Sequence, residues 1–294
     1  MKKVTIQLYF GSIIFLCALA MLYSCGLQNK TFEVNKDSKS TSVYQKAINA
    51  SPGSNLELTL KRDKGLTKQY DEESGFHYWC YVPDVSAFED LSHIPLIVFL
   101  HGDSQCGNNE LDKLNGNNKF VNLLYEDTLP KENGECHSEY GAIIVAPQSS
   151  GIWWKNIDNI HRLKILIDNV SAKYDVDQNK ISMTGWSGGA AGCWMFATRY
   201  PETLSCAVLI SGYDSYYPSD MKLAQRFSLW CVVGELEYSS LQKSMCSLAE
   251  KFKDDGGESR FTIVRNTNHS DISYVAFKEY DILQWMAGQT KKFL

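Results

Sequence analysis

Ser187 stands between Gly185 and Gly189 in the phrase KISMTGWSGGAAGCWM, residues 180–195. A serine hydroxyl attacks carbonyl carbon once a neighbouring base takes its proton, so the chemistry to look for is acyl transfer. A sharp strand-to-helix turn, the nucleophile elbow, would present that hydroxyl, and it needs flanking residues without side-chain bulk. Lys180 to Thr184 reads as a short buried strand ahead of the turn. Gly188, Gly189, Ala190, Ala191 and Gly192 would let the following helix pack closely on a sheet. The plain alternative is a glycine-rich turn with a solvated serine.

In an elbow-type site the partners follow the serine in the order acid, then histidine. Of six histidines only His269 lies beyond Ser187, in RNTNHSDIS just past the last expected strand, which makes it the candidate base. The acid has three candidates. Glu235 and Glu237 both follow the strand FSLWCVVG, share parity and so cannot be separated by strand alternation. Asp214, in SGYDSYYP, is the third; Glu237 is placed first and Asp214 second. Asp271 is close to His269 in sequence and suits a solvated or helix-capping role. Charge developing on a carbonyl oxygen needs donors fixed in advance. The N–H of Gly188 supplies one, and the loop after FLHG supplies the second at Asp103, with Ser104 close behind. His101, at the strand end, is expected to brace that loop. The aromatics Trp153, Trp154, Tyr213, Tyr216 and Tyr217 lie near strand ends, and could stack on a sugar or phenolic group or pack a lid or the core.

These residues need a frame. IPLIVFLHG and GAIIVAPQ are apolar throughout, as strands buried on both faces of a parallel sheet are. IDNIHRLKILIDNVSAKY repeats apolar residues three and four apart and is a helix. Strand 180–186, helix 188–199, strands 206–211 and 228–233, helix 240–253, strand 260–265 and helix 273–287 follow. This alternation predicts an α/β fold with a mainly parallel, doubly wound sheet. NLELTLKR and FHYWCYVPD read as an antiparallel pair added at one edge. The serine turn then falls at the carboxyl end of a central strand, where open α/β sheets gather their sites.

With 294 residues, 44% of them hydrophobic, the chain can bury a large core. Its net charge of −5, with no basic stretch interleaved with aromatics, gives nucleic acid no electrostatic footprint. Lys2 and Lys3 precede an apolar run ending LCALAMLYSCG, the pattern of an export signal over residues 1–24. An uncleaved anchor is the other reading, since Ile6 to Ser24 could almost span a bilayer. Residues 25–54 are polar and read as a tether, and 55–294 as one catalytic domain. Beyond Cys25 come Cys80, Cys106, Cys136, Cys193, Cys206, Cys231 and Cys246, an odd number with no zinc-like spacing, so no metal is expected. Cys193, Cys206 and Cys231 read as small core hydrophobes, while Cys106 and Cys136 are a possible loop disulfide.

Two resemblances sharpen the reading. Leu22, Tyr23, Ser24 and Cys25 resemble a bacterial lipoprotein processing box, which implies lipid on Cys25 and an envelope protein anchored to a membrane; a secreted soluble protein is the alternative. The phrases LHGDSQCGNNE, VAPQSSGIWW and KYDVDQNKISMTGWSGGAAGCWMFATRYPETLSCAVLISG resemble α/β-hydrolase esterases. Among these are carbohydrate esterase family 1, with its feruloyl and acetylxylan esterases, polyhydroxybutyrate depolymerases and the "predicted peptidases". The resemblance implies an α/β-hydrolase fold over about residues 74–290 and a serine esterase without a cofactor, acting on carbohydrate-linked esters. It also implies an acid, usually Asp, three residues after a strand-end Gly that commonly follows a His. Here that pair is Val233-Gly234, with Glu237 at the acid's place, a departure in both residue types. A peptidase of the same fold, a polyester depolymerase and a non-catalytic binding lipoprotein are the rival expectations.

Overall fold

The run IPLIVFL leaves no polar face to show to water, and in a computed structural model of the chain it forms an interior strand of an eight-stranded sheet. The structure describes residues 52–116, 119–129, 140–150, 154–213 and 224–292, and the expectations for residues 1–51 lie outside them. In chain order the elements are α1 (Pro52–Asp63), β1 (Gly65–Asp71), β2 (Phe76–Val82), β3 (Ile94–Leu100), α2 (Phe120–Asp127) and β4 (Ile143–Pro147). Then come α3 (Ile157–Tyr174), β5 (Val176–Trp186), α4 (Gly188–Arg199), β6 (Cys206–Ile210), β7 (Ser228–Gly234), α5 (Ser239–Asp254), β8 (Glu258–Val264), α6 (Ile272–Glu279) and α7 (Ile282–Ala287).

The strand order is β1-β2-β4-β3-β5-β6-β7-β8. β1 and β2 run antiparallel at one edge, β2 also pairs antiparallel with β4, and the other pairs are parallel. The fold is thus the mainly parallel α/β sheet with antiparallel N-terminal edge strands that the apolar runs predict. From β3 the chain steps outward to β4, then returns to lay β5 on the other side of β3. This reversal opens a crevice at the carboxyl ends of β3 and β5. Register completes the placement, because Leu100 of β3 lies opposite Gly185 of β5.

Side chains alternate between the two faces of the sheet. Leu96, Val98 and Leu100 point into a core covered by α1, α3, α4 and α5, while Ile97 and Phe99 point into one covered by α2, α6 and α7. Cys193, Cys206 and Cys231 are buried within these cores as expected, and burial pushes the Cys206 thiol up to about 12. Cys106 is a free thiol whose Sγ lies 3.2 Å from Ser149 Oγ; its candidate partner Cys136 is outside the described residues.

Two expectations are corrected. NLELTLKR is the body of helix α1, and β2 pairs instead with Gly65–Asp71. Its alternating leucines suit a strand, but Leu56 and Leu60 also lie four apart, on one face of a helix. That face packs on the core while Leu58 points to water. Pro52 at the first helical position and Asp63, bonded to Tyr174 Oη (2.9 Å) and Lys173 Nζ (2.8 Å), close the two ends. The expected helix 273–287 is two helices, α6 and α7, broken at Asp281, whose φ is 49°. Among the described residues no helix is long and apolar enough to cross a membrane.

The helix predicts a sharp asymmetry between neighbouring leucines. Leu60→Ala, at a fully buried site, should cost about 2–4 kcal/mol in chemical denaturation. Leu58→Ala, at a site 66% exposed, should cost less than about 0.5 kcal/mol. Equal losses would restore the strand.

Candidate active site

β5 ends at Trp186, and the next residue turns the chain into α4. Ser187 sits at that corner with φ 55° and ψ −119°, a conformation that costs a non-glycine residue on the order of 1–3 kcal/mol. The surroundings fix it. Its N–H continues the ladder to Ile210 O at 2.8 Å, and its carbonyl accepts from Ala190 N at 3.0 Å. The flanking glycines are forced by contact: a Cβ on Gly185 would lie 2.2 Å from Gly189 O, and one on Gly189 2.0 Å from Leu100 O.

His269 arrives from the loop after β8 and Glu237 from the turn after β7, strands paired side by side through Gly234 and Val264. Imidazole Nε2 lies 2.9 Å from Ser187 Oγ, and Nδ1 lies 2.8 Å from Glu237 Oε1. The carboxylate is enclosed, its side chain 3% exposed against 45% for the imidazole. A carboxylate accepts only, so Nδ1 carries the proton and Nε2 offers its lone pair to the serine. That arrangement can take the hydroxyl proton and return it to a leaving group.

The sequence left three acids open, and the geometry separates two of them. Glu237 meets His269, whereas Glu235 Oε2 accepts from Asn266 N at 2.9 Å and so tethers the loop that carries the histidine. Asp214 lies outside the described residues, as do Trp153, Tyr216 and Tyr217. Asp271 stands at the N-cap position of α6, where its carboxylate accepts from Asn268 Nδ2 at 2.9 Å.

Asp103 opens the 3-10 turn Asp103–Gln105, and Gly188 opens α4. As first residues of their turns, neither has an intrahelical acceptor for its N–H. The two turns touch: a Cβ on Gly188 would fall 1.9 Å from Asp103 Oδ1. That oxygen is buried with no hydrogen-bond partner among the described residues. Burial pushes the Asp103 carboxyl above its ordinary value, against the pull of Lys155.

Beneath this turn His101 has the bracing role expected of it. Its Nε2 accepts from Ser149 N (3.0 Å), so Nδ1 carries the proton toward Gly102 O (2.7 Å). Gln148 adds a second brace, its Nε2 donating to the carbonyls of Gln105 and Glu110, each at 3.0 Å. Trp154, expected near substrate, is instead fully buried with its indole N–H bonded to His101 O at 2.9 Å. A strand-end position does not tell which way a side chain turns, and Trp154 turns inward. Tyr213 is half-buried against the larger core cluster.

Trp186 was not among the expected site residues, although it stands between Gly185 and Ser187 in the motif. Its indole N–H donates to His269 O at 2.9 Å, and its ring centroid lies 5.4 Å from the imidazole. Beside it opens a cavity of about 420 Å³ lined by Phe99, Ser104, Phe120, Trp186, Lys119 and Asp271 among others. Among the described residues no cluster of three or more His, Cys, Asp or Glu could hold a metal ion.

No protein-family model matches the chain, and no curated protein matches it. Solved structures do resemble it. A thermostable esterase is 19% identical with a TM-score of 0.60, over 78% of this chain and 64% of that one. The feruloyl esterase module from Clostridium thermocellum complexed with sinapinate is 15% identical with a TM-score of 0.55, over 83% of this chain and 95% of that one. The acylaminoacyl peptidase of Pyrococcus horikoshii is 13% identical with a TM-score of 0.54, over 81% of this chain and 44% of that one. The chain thus spans less than two thirds of the length of the esterase and under half of the peptidase. At these identities the likeness is one of fold, and the fold is that of the α/β-hydrolases.

His101 generates a pH dependence of stability. Burial lowers its pKa to about 4, whereas the unfolded imidazole takes a proton near about 6.5. Between these values the unfolded chain binds the extra proton, so stability is lost as pH falls through this window, by up to about 1.4 kcal/mol per unit. Urea denaturation of His101→Gln should lack that component; an unchanged slope would contradict the assignment.

Proposed function

We propose that the chain is a serine carboxylic-ester hydrolase with Ser187 as nucleophile, His269 as general base and Glu237 as the carboxylate that orients it. The observation that carries this reading is the unbroken relay from Glu237 Oε1 through both imidazole nitrogens to Ser187 Oγ, at 2.8 and 2.9 Å. Ser187 Oγ attacks the ester carbonyl as its proton passes to His269 Nε2, and the carbonyl oxygen takes the negative charge facing the N–H groups of Gly188 and Asp103. Collapse of the tetrahedral intermediate expels the alcohol, which receives the proton from Nε2. Water then repeats the sequence on the acyl-enzyme, returning the acid and the free serine.

Carbohydrate-linked esters, feruloyl or acetyl, are the substrates that this reading favours. A cavity of about 420 Å³ whose walls include Trp186 and Ser270, the chain neighbours of the nucleophile and of the histidine, together with Phe99 and Phe120, supports an ester with an aromatic group. The feruloyl esterase module complexed with sinapinate shares the fold. A peptidase remains the second reading, favoured by the acylaminoacyl peptidase of the same fold. The non-catalytic reading rested on glutamate at the acid's place, and the contact of Glu237 with His269 speaks against it.

Residues 1–24 are read as an export signal and Cys25 as the lipid-bearing first residue of an envelope protein, with the tether 25–54 ahead of the catalytic domain. Palmitate labelling in a bacterial host should then be lost in Cys25→Ala; retained label would remove the anchor.

Ser187→Ala should abolish turnover of p-nitrophenyl acetate with the fold intact, and Glu237→Gln should lower kcat by about 10²–10⁴. Unchanged turnover in the serine variant would refute the assignment. Feruloylated and acetylated sugars assayed beside peptide amides decide between esterase and peptidase.

A further inference from the structure

Resting on the triad just described, we infer that Trp186 is a positioning residue: its indole N–H holds the backbone of the catalytic histidine at a fixed distance from the serine that follows Trp186 in the chain. The sheet fixes one end of this link, since Trp186 closes β5 in register with Ile210 of β6. The other end is the bond from indole Nε1 to His269 O at 2.9 Å. Ser187 Oγ, the imidazole, the His269 carbonyl and the indole therefore form a closed ring in which nucleophile and tether are consecutive residues.

Other ties on the histidine loop act from a different direction. Asn266 N donates to Glu235 Oε2 (2.9 Å) and Leu236 N to Thr267 O (3.1 Å), so both anchor residues ahead of His269 to the turn after β7. Trp186 holds His269 itself, from the nucleophile's own strand. Burial cannot do this work, because the imidazole side chain is 45% exposed.

The six-membered ring of the indole meets a third part of the site. A Cβ on Gly102 would lie 2.5 Å from Cε3 and Cζ3 of Trp186, so the ring rests on the backbone that leads into Asp103. One side chain thus spaces the histidine loop from the oxyanion turn, and it also walls the adjoining cavity. Loss of the N–H bond frees the base to drift, and misplacement by about 1 Å can cost on the order of 10²-fold in rate.

Glutamine and leucine at position 186 provide the test in the full chain. Both lack the ring, but the amide of glutamine places a donor the same number of bonds from Cβ as indole Nε1. With p-nitrophenyl acetate, kcat of Trp186→Gln should exceed that of Trp186→Leu by about tenfold, with KM within about threefold and equal Tm. Equal kcat values, or a loss that follows the folded fraction, would overturn the role. Should the ringless variants fail to fold, native protein against Trp186→Phe carries the same comparison, with the same two outcomes. Ser187→Ala is the control: if it is inactive while Gln and Leu are equal, only the tether falls, whereas an active Ser187→Ala removes the triad and the tether together.

Discussion

The carbonyl oxygen of Leu100 occupies the place where a side chain on Gly189 would be, 2.0 Å from the Cβ such a residue would carry. This contact between the end of β3 and the first turn of α4 lets the helix start directly over the neighbouring strand. The site follows from it. With the helix that close, the corner residue must adopt φ 55°, and its hydroxyl is turned out of the sheet toward the crevice. The same approach brings the turn at Asp103 against Gly188, so two turns whose first N–H groups lack helical partners meet next to Ser187 in the chain.

Two histidines then serve opposite ends through tautomer and exposure. His101 is sealed under the turn Asp103–Gln105, where burial lowers its pKa to about 4 and keeps it a neutral brace between Gly102 and Ser149. His269 is half-exposed and rests on an enclosed carboxylate, which fixes the proton on Nδ1 and leaves Nε2 free for the serine. Asp103 stands apart. Its buried oxygen, without a hydrogen-bond partner among the described residues, lies beside the helix start, at a desolvation cost that raises the carboxyl pKa.

Much of this was legible in the sequence for physical reasons. Strands buried on both faces must be apolar throughout, so β3 and β4 announce themselves, and their order with the helices places Ser187 at the switch point. Leu56, Leu58 and Leu60 mislead because their spacing satisfies a strand while Leu56 and Leu60 also satisfy a helix, and only packing on the core decides between them. The break at Asp281 was invisible, since neither glycine nor proline marks it. Glu235 and Glu237 share parity, so alternation could not separate them, and in the turn they occupy direction is set by hydrogen bonds such as that from Asn266. Trp154 and Trp186 exchange their expected importance for a similar reason: sequence shows where an indole starts but not which carbonyl its N–H will find.

The most direct test of the relay is covalent. A fluorophosphonate reacts with a serine only where a base draws off its proton and donors receive the phosphoryl oxygen. Peptide mass spectrometry of the full chain after treatment should find one adduct, on Ser187, absent when His269 is replaced by alanine. No adduct, or one on another residue, would contradict the account.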